Sequence, residues 1–189
     1  MFVDEKQKLK LIKCNKNLQQ KLDISIINYI HFKGSYIVYE SNGKGKEYWN
    51  NGELLFEGEY LNGERNGKGK EYDYNGELIY EGGFLNGKRK GIGKEYYNYD
   101  ELIFEGEYLN GRRWKGKGKE YDDFNGELMY EGEFLNGERS GKGKEYYHNH
   151  LIYEGEYLNR KRNGKGKEYY PNGNIKFVGE FLDNKKINN

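Results

Sequence analysis

From residue 32 onward the chain alternates apolar and polar positions with a period of two. In ELIYEGGF (residues 77–84), Tyr80, Gly82 and Phe84 share one parity and Glu81 lies on the other. Such alternation predicts half-buried β-strands. The pattern recurs as a block, written once as FEGEYLNGERNGKGKEYDYNGELI from Phe56 to Ile79. Related copies begin at Phe32, Tyr80, Phe104, Tyr130 and Tyr153, and a half copy at Phe177, in steps of 24, 24, 24, 26, 23 and 24 residues. A short unit repeated in this way predicts a quasi-one-dimensional protein that presents surface, rather than one enclosing a catalytic pocket.

Two turns per copy divide it into two strands. Asn51-Gly52, Asn75-Gly76, Asn125-Gly126 and Asn172-Gly173 sit between strand-like runs. They predict type I′ turns, because both central residues there need positive φ. The second turn, Asn62 to Arg65 and its equivalents, is expected to be a four-residue loop. Folding about these turns sets Tyr60 against Gly67, Glu59 against Lys68, Gly58 against Gly69 and Glu57 against Lys70. At the next junction Lys70 meets Glu81, Gly69 meets Gly82 and Gly67 meets Phe84.

The pleat then separates two faces. One carries a glycine row: Gly58, Gly69, Gly82, Gly93, Gly106, Gly118, Gly132, Gly143, Gly155, Gly166 and Gly179. Aromatic rings such as Phe56, Tyr60, Tyr80 and Phe84 share that face, so each ring can lie over the space that a glycine leaves. The other face alternates Glu57 and Glu59 with Lys68 and Lys70 as a cross-strand ladder, each pair worth about 0.2–1 kcal/mol. The rings are expected to serve as the sheet's own packing. An apolar ligand, or a second copy pairing face to face, is the alternative use of an exposed aromatic surface.

Residues 1–31 follow another pattern. They lack glycine, and Leu18/Leu22 and Ile26/Ile30 have helical spacing. Asp4 is a candidate N-cap for a helix over about 5–14. Ser25 to Ile30 fits a second helix or a first strand. The segment reads as a cap on the first sheet edge or as a helical module that recruits a partner. Its KLKLIKCNKNLQQKLDISI stretch resembles the latter half of an F-box, without the front half. Residues 183–189 are expected to form a flexible tail.

Composition narrows the class. Hydrophobic residues are 34%, below the roughly 45–50% of ordinary domains, and 33% are charged. Disorder would fit those two values, but aromatics reach 16% and are strictly placed. The formal net charge of +1 gives no general attraction to nucleic acid or an acidic membrane. Cys14 stands alone, which excludes an internal disulfide framework and fits a reducing compartment. No run approaches the roughly 20 apolar residues of a membrane span. The expected location is cytoplasmic, with a peripheral membrane association as the variant.

The elements Phe56-Glu57-Gly58-Glu59-Tyr60 and Gly67-Lys68-Gly69 resemble the two halves of a MORN (membrane occupation and recognition nexus) repeat. Tyr169-Tyr170-Pro171-Asn172-Gly173-Asn174-Ile175-Lys176-Phe177 resembles a related bacterial variant. The resemblance covers roughly residues 32–182 and implies an elongated single-layer antiparallel β-meander of about 13 strands. It also implies a role without catalysis: scaffold, dimerisation surface, or membrane or cytoskeletal adaptor. The copies differ mainly in their loops. The fourth carries Trp114-Lys115 and an extra Asp at Asp122-Asp123, and the fifth reads His148-Asn149-His150.

No site for chemistry emerges. The Gly-Lys-Gly-Lys segments lack the helix that a P-loop requires. His148 and His150 are two histidines without a third ligand, so a varied turn is expected rather than a metal site. No nucleophile, base and orienting group converge, so neither an enzyme nor a cofactor is expected. The candidate contact residues are basic: Lys88, Arg89, Lys90, Arg112, Arg113, Trp114, Lys115, Arg160, Lys161 and Arg162. All fall at one hairpin position, a basic edge suited to an acidic protein or a membrane surface. The resulting expectation is a protein-interaction scaffold, a homodimer among its forms. A phospholipid-binding module, or an adaptor acting through the N-terminal helices, is the alternative.

Overall fold

The computed structural model describes residues 34–40, 43–97 and 101–187. They form 14 strands: β1 (Ser35–Tyr39), β2 (Lys44–Trp49), β3 (Leu54–Leu61), β4 (Glu64–Tyr72), β5 (Leu78–Leu85), β6 (Lys88–Tyr97), β7 (Glu101–Leu109), β8 (Arg112–Tyr121), β9 (Leu128–Leu135), β10 (Glu138–Tyr147), β11 (His150–Leu158), β12 (Lys161–Tyr169), β13 (Ile175–Leu182) and β14 (Lys185–Ile187). Strand order follows chain order in one antiparallel sheet, as the period-two pattern predicts. β14 lies inside the segment expected to be a tail, and pairs with β13. The expected helical cap over residues 1–31 lies outside the described residues. The described chain divides into two compact units, 34–90 with 96–101 and 91–95 with 102–187.

In the first unit Gly45, Gly58, Gly69 and Gly82 stand opposite one another on successive strands, and Glu57 faces Lys70. The junction at β4 and β5 has the expected register from Gly67 against Phe84 to Lys70 against Glu81, and shifts by one at Tyr72, which pairs with Leu78. In the second unit the row runs through Gly118, Gly132, Gly143, Gly155, Gly166 and Gly179. The rings close over it. A Cβ placed on Gly143 would come within 2.5 Å of Tyr130 Cε2, and one on Gly179 within 2.5 Å of Phe177 Cζ. Rings of neighbouring hairpins meet edge to face: Phe56 with Phe84 at 5.0 Å, Tyr130 with Tyr157 at 5.2 Å, and Tyr153 with Phe181 at 5.1 Å. Among the described residues these contacts form the core of a sheet without a second layer.

The rings are buried rather than displayed. Phe56, Tyr80, Tyr130 and Tyr153 are 0% exposed. The exposed aromatic surface that motivated a face-to-face homodimer is therefore absent from the ring rows.

The turns are the reverse of the expectation. Asn62-Gly63 and its equivalents, both residues at positive φ, are the type I′ turns. In the Asn75-Gly76 type only glycine is at positive φ. There Gly76 N–H donates to the Asp73 carbonyl, and Asp73 Oδ1 accepts the N–H groups of Asn75 and Glu77, each at 2.8 Å. This is a type I turn closed by a glycine bulge. The expected four-residue loop is thus a two-residue turn followed by a bulge. Tyr60 pairs with Arg65, not Gly67, and Glu59 does not pair with Lys68. Gly67 sits in the bulge at φ 82°.

Two copies depart further. Ile37 pairs with Glu47 as Phe56 pairs with Glu71, so the first copy is set from Ile37 and not from Phe32. In the fourth, Gly106 pairs with Gly116, while Gly118 pairs with Gly132. Trp114 is the extra residue in the bulge, and β8 slides by two against β7. In the fifth copy His148 and Asn149 (φ 48° and 61°) form a two-residue type I′ turn in place of the three-residue loop. That shortening accounts for its 23-residue step.

Candidate functional site

The ring face is closed from above. An arginine nine residues after each covering ring lies over that ring. The guanidinium carbon is 4.5 Å from the ring centroid for Arg65 on Phe56, 4.3 Å for Arg89 on Tyr80, 4.9 Å for Arg113 on Phe104, 4.5 Å for Arg139 on Tyr130 and 4.6 Å for Arg162 on Tyr153. Lys186 takes the same place over Phe177. Each arginine is also held by glutamate. Arg65 pairs with Glu47 and Glu71, both at 2.7 Å. Arg162 pairs with Glu145 at 2.8 Å and Glu168 at 3.1 Å. A desolvated cation over a ring is worth up to about 2 kcal/mol.

This roof separates the expected basic edge into two groups. Arg89, Arg113 and Arg162 are half-buried and engaged with Glu71, Glu95, and Glu145 with Glu168. Lys88, Lys90, Arg112, Trp114, Lys115, Arg160 and Lys161 remain exposed. Lys161 lies 3.4 Å from Asp183. The turns along this edge also bond to one another through backbone. Gly137 N–H donates to the Trp114 carbonyl and Arg160 N–H to the Arg139 carbonyl.

We expect Arg162→Met to destabilise the protein by about 2–3 kcal/mol, because it leaves Glu145 facing the rings without its cation, while Glu168 keeps Lys186 at 2.6 Å. Lys161→Met, one residue away and exposed, should change little. Urea melts of both variants test this. Equal midpoints would show that the roof contributes nothing.

The opposite face is open. In the second unit it forms a trough of 960 Å3 over residues 102–180. Its floor is the backbone of Gly118, Gly132, Gly143, Gly155, Gly166 and Gly179, since a glycine presents no side chain to either face. The residues flanking each glycine point into the trough and make its walls. One wall alternates Lys119, Glu131, Lys144, Glu154 and Lys167; the other alternates Lys117, Glu133, Lys142, Glu156, Lys165 and Glu180.

The walls are fixed in different ways. Lys144 approaches Glu131 at 3.2 Å and Lys167 approaches Glu154 at 3.1 Å. Tyr146 Oη also donates to Glu131 at 2.7 Å. The Tyr146 hydrogen bond and Lys144 hold the Glu131 carboxyl below its ordinary range. Lys167 and Tyr169 do the same for Glu154. On the second wall the glutamates serve the bulges instead. Glu133 accepts the Lys142 N–H at 3.1 Å and Glu156 the Lys165 N–H at 3.3 Å. The trough is therefore polar, regular and close to neutral.

Comparison with known proteins settles the family. The MORN repeat model matches residues 40–53, 56–77, 80–99, 130–151 and 153–175, more than half of the chain. The chain belongs to the MORN-repeat family. In this MORN-repeat protein the fourth copy goes unmatched, in keeping with its Trp114 bulge and longer turn. No curated protein sequence matches the chain. Among 30 solved chains that match, one is described as the crystal structure of TarM. It is 15% identical, with a TM-score of 0.31, over 68% of this chain and 26% of that one. The chain thus spans about a quarter of that protein's length, and so low a likeness carries no argument. Among the described residues of this MORN-repeat protein, no helix is long and apolar enough to cross a membrane.

Proposed function

We propose that this MORN-repeat protein is a non-catalytic scaffold that holds protein partners against its open charged face. The observation that carries this is the contrast between the two faces of the second unit. The ring face is sealed by arginine and glutamate, whereas the trough stays open over residues 102–180. Its walls alternate in sign from β8 to β12, about 4.8 Å per strand. That pattern rewards a partner of matching charge order and rejects a shifted one.

The test is charge reversal on one wall. Lys144→Glu with Lys167→Glu should abolish capture of partners that the natural chain retains from its own cells. Melting should move little, since exposed pairs are worth about 0–1 kcal/mol. A variant that captures the same partners would sink the trough as the docking face.

The exposed Lys88, Lys90, Arg112, Trp114, Lys115, Arg160 and Lys161 favour a second reading, a membrane-peripheral module. Vesicles rich in anionic lipid test it by co-sedimentation. Salt-sensitive binding lost on Arg112→Glu with Lys115→Glu would support it. With three arginines of this edge already engaged internally, we expect weak sedimentation.

A further inference from the structure

On the open face of the second unit each strand from β8 to β12 carries one sign. The even strands have lysine on both sides of the glycine, as Lys142 and Lys144 on β10. The odd strands have glutamate, as Glu154 and Glu156 on β11. The glycines stand opposite one another, so sign follows strand parity alone. Ion pairs within the sheet account for only one wall. On the other, Glu133 and Glu156 are engaged by the bulge N–H groups, and the side chains of Lys142 and Lys165 stay exposed.

A face whose sign alternates by strand is complementary to itself. A two-fold axis parallel to the strands, between β10 and β11, lays β10 over β11, β9 over β12 and β8 over β13. Lys144 of each chain then meets Glu154 of the other, Glu131 meets Lys167, and Lys117 meets Glu180. A two-fold axis across the strands would lay every strand on itself, lysine on lysine, and is repelled. Stacked sheets rotate by about 30°, which displaces residues along the strands. Because both walls of one strand share a sign, the matching survives that rotation.

The strand step selects the occupant as well. An α-helix advances about 5.4 Å per turn and drifts by about 2.4 Å over the four steps from β8 to β12, half of one alternation. An extended strand repeats a face about every 6.6–6.8 Å and loses phase sooner. A second chain has the same step and keeps phase throughout. Leu135, Leu158 and Leu182 have the parity of the glutamates on this face and are 44%, 51% and 56% exposed. They supply apolar contact beside the charged rows.

We propose that the open face of the second unit docks a second chain of this protein face to face, with β10 of each over β11 of the other. The proposal rests on the reading of the trough as a docking face and names its occupant.

The experiment is light scattering of the full chain after size separation. At low salt the natural chain should show twice the monomer mass, falling to the monomer mass as salt screens the charges. Lys144→Glu with Lys167→Glu makes one wall acidic from β9 to β12. Glu131→Lys with Glu154→Lys makes the same wall basic. Each variant alone should lose the dimer. Mixed in equal amounts they should regain it, because opposite walls then meet. The salt series on the natural chain decides even where a variant fails to fold. A natural chain that is monomeric at low salt, a dimer indifferent to salt, dimers kept by both variants, or a mixture of the two folded variants that stays monomeric would each overturn the proposal. If partner capture still depends on Lys144 and Lys167 in those cases, the scaffold reading stands and only the dimer falls. If the mixture dimerises while capture ignores the charge reversal, the dimer stands and the scaffold reading falls.

Discussion

Gly69→Val is expected to destabilise the protein by about 3 kcal/mol or more and to unfold the hairpins on either side of β4 first. A Cβ on Gly69 would collide with Phe56 Cζ, lie 2.5 Å from Phe56 Cε2 and approach the Glu57 carbonyl at 3.1 Å. The ring cannot swing away. Phe84 meets it edge to face at 5.0 Å, Tyr60 at 5.5 Å, and Arg65 covers it. Gly76→Ala separates sterics from backbone strain. Gly76 has φ 80° and nothing within 4 Å of a Cβ, so that change should cost only about 1–2 kcal/mol. Hydrogen exchange of β3 to β5 in the two variants is the measurement. Matching losses would mean that the ring does not depend on the glycine beneath it.

Alkaline pH should unfold the protein steeply. Burial, reinforced by Glu47, raises the Tyr60 phenol far above its ordinary value of 10.0, and burial with Glu145 does the same to Tyr157. Burial raises Tyr130 as well. Tyr153 is pushed up to about 12 by burial, against the opposing effect of Arg162. A raised folded pKa means that the stabilisation is whole below pH 10.0 and is lost as pH climbs, because the unfolded chain ionises first. Each such tyrosine lowers stability by about 1.4 kcal/mol per pH unit while the folded state keeps its proton. Four acting over about two units rival the roughly 5–15 kcal/mol that holds a domain together. Phenolate absorbance and circular dichroism should therefore change together, and Tyr157→Phe should flatten the slope. Titration of the 20 tyrosines near their ordinary value, with the sheet intact, would refute this.

The pairing of glycine with ring is legible in the sequence because both residues recur at fixed phase and only one geometry fits them. Gly58 against Gly69 and Lys70 against Glu81 follow from that phase alone. The turns are less legible, since Asn-Gly satisfies two turn types. What separates them is the Asp73 carboxylate, which accepts two backbone N–H groups and so favours the type I turn. That ambiguity hides the roof. A four-residue loop from Asn62 to Arg65 leaves the arginine in solvent. A two-residue turn carries it into β4 opposite Tyr60 and over Phe56. The nine-residue interval from ring to arginine is the signal that identifies Arg65, Arg89, Arg113, Arg139 and Arg162 together.

Identical copies have no addresses: a partner that fits one would fit every other. The slide of β8 removes that degeneracy. Its Gly116 faces Gly106 on one side while its Gly118 faces Gly132 on the other. In the crystallographer's sense this is a dislocation, a fault that a lattice carries at one site while the order on each side survives. A duplication or loss of a whole copy elsewhere leaves the fault intact. Trp114 therefore serves as an origin from which every other position along the chain can be reckoned.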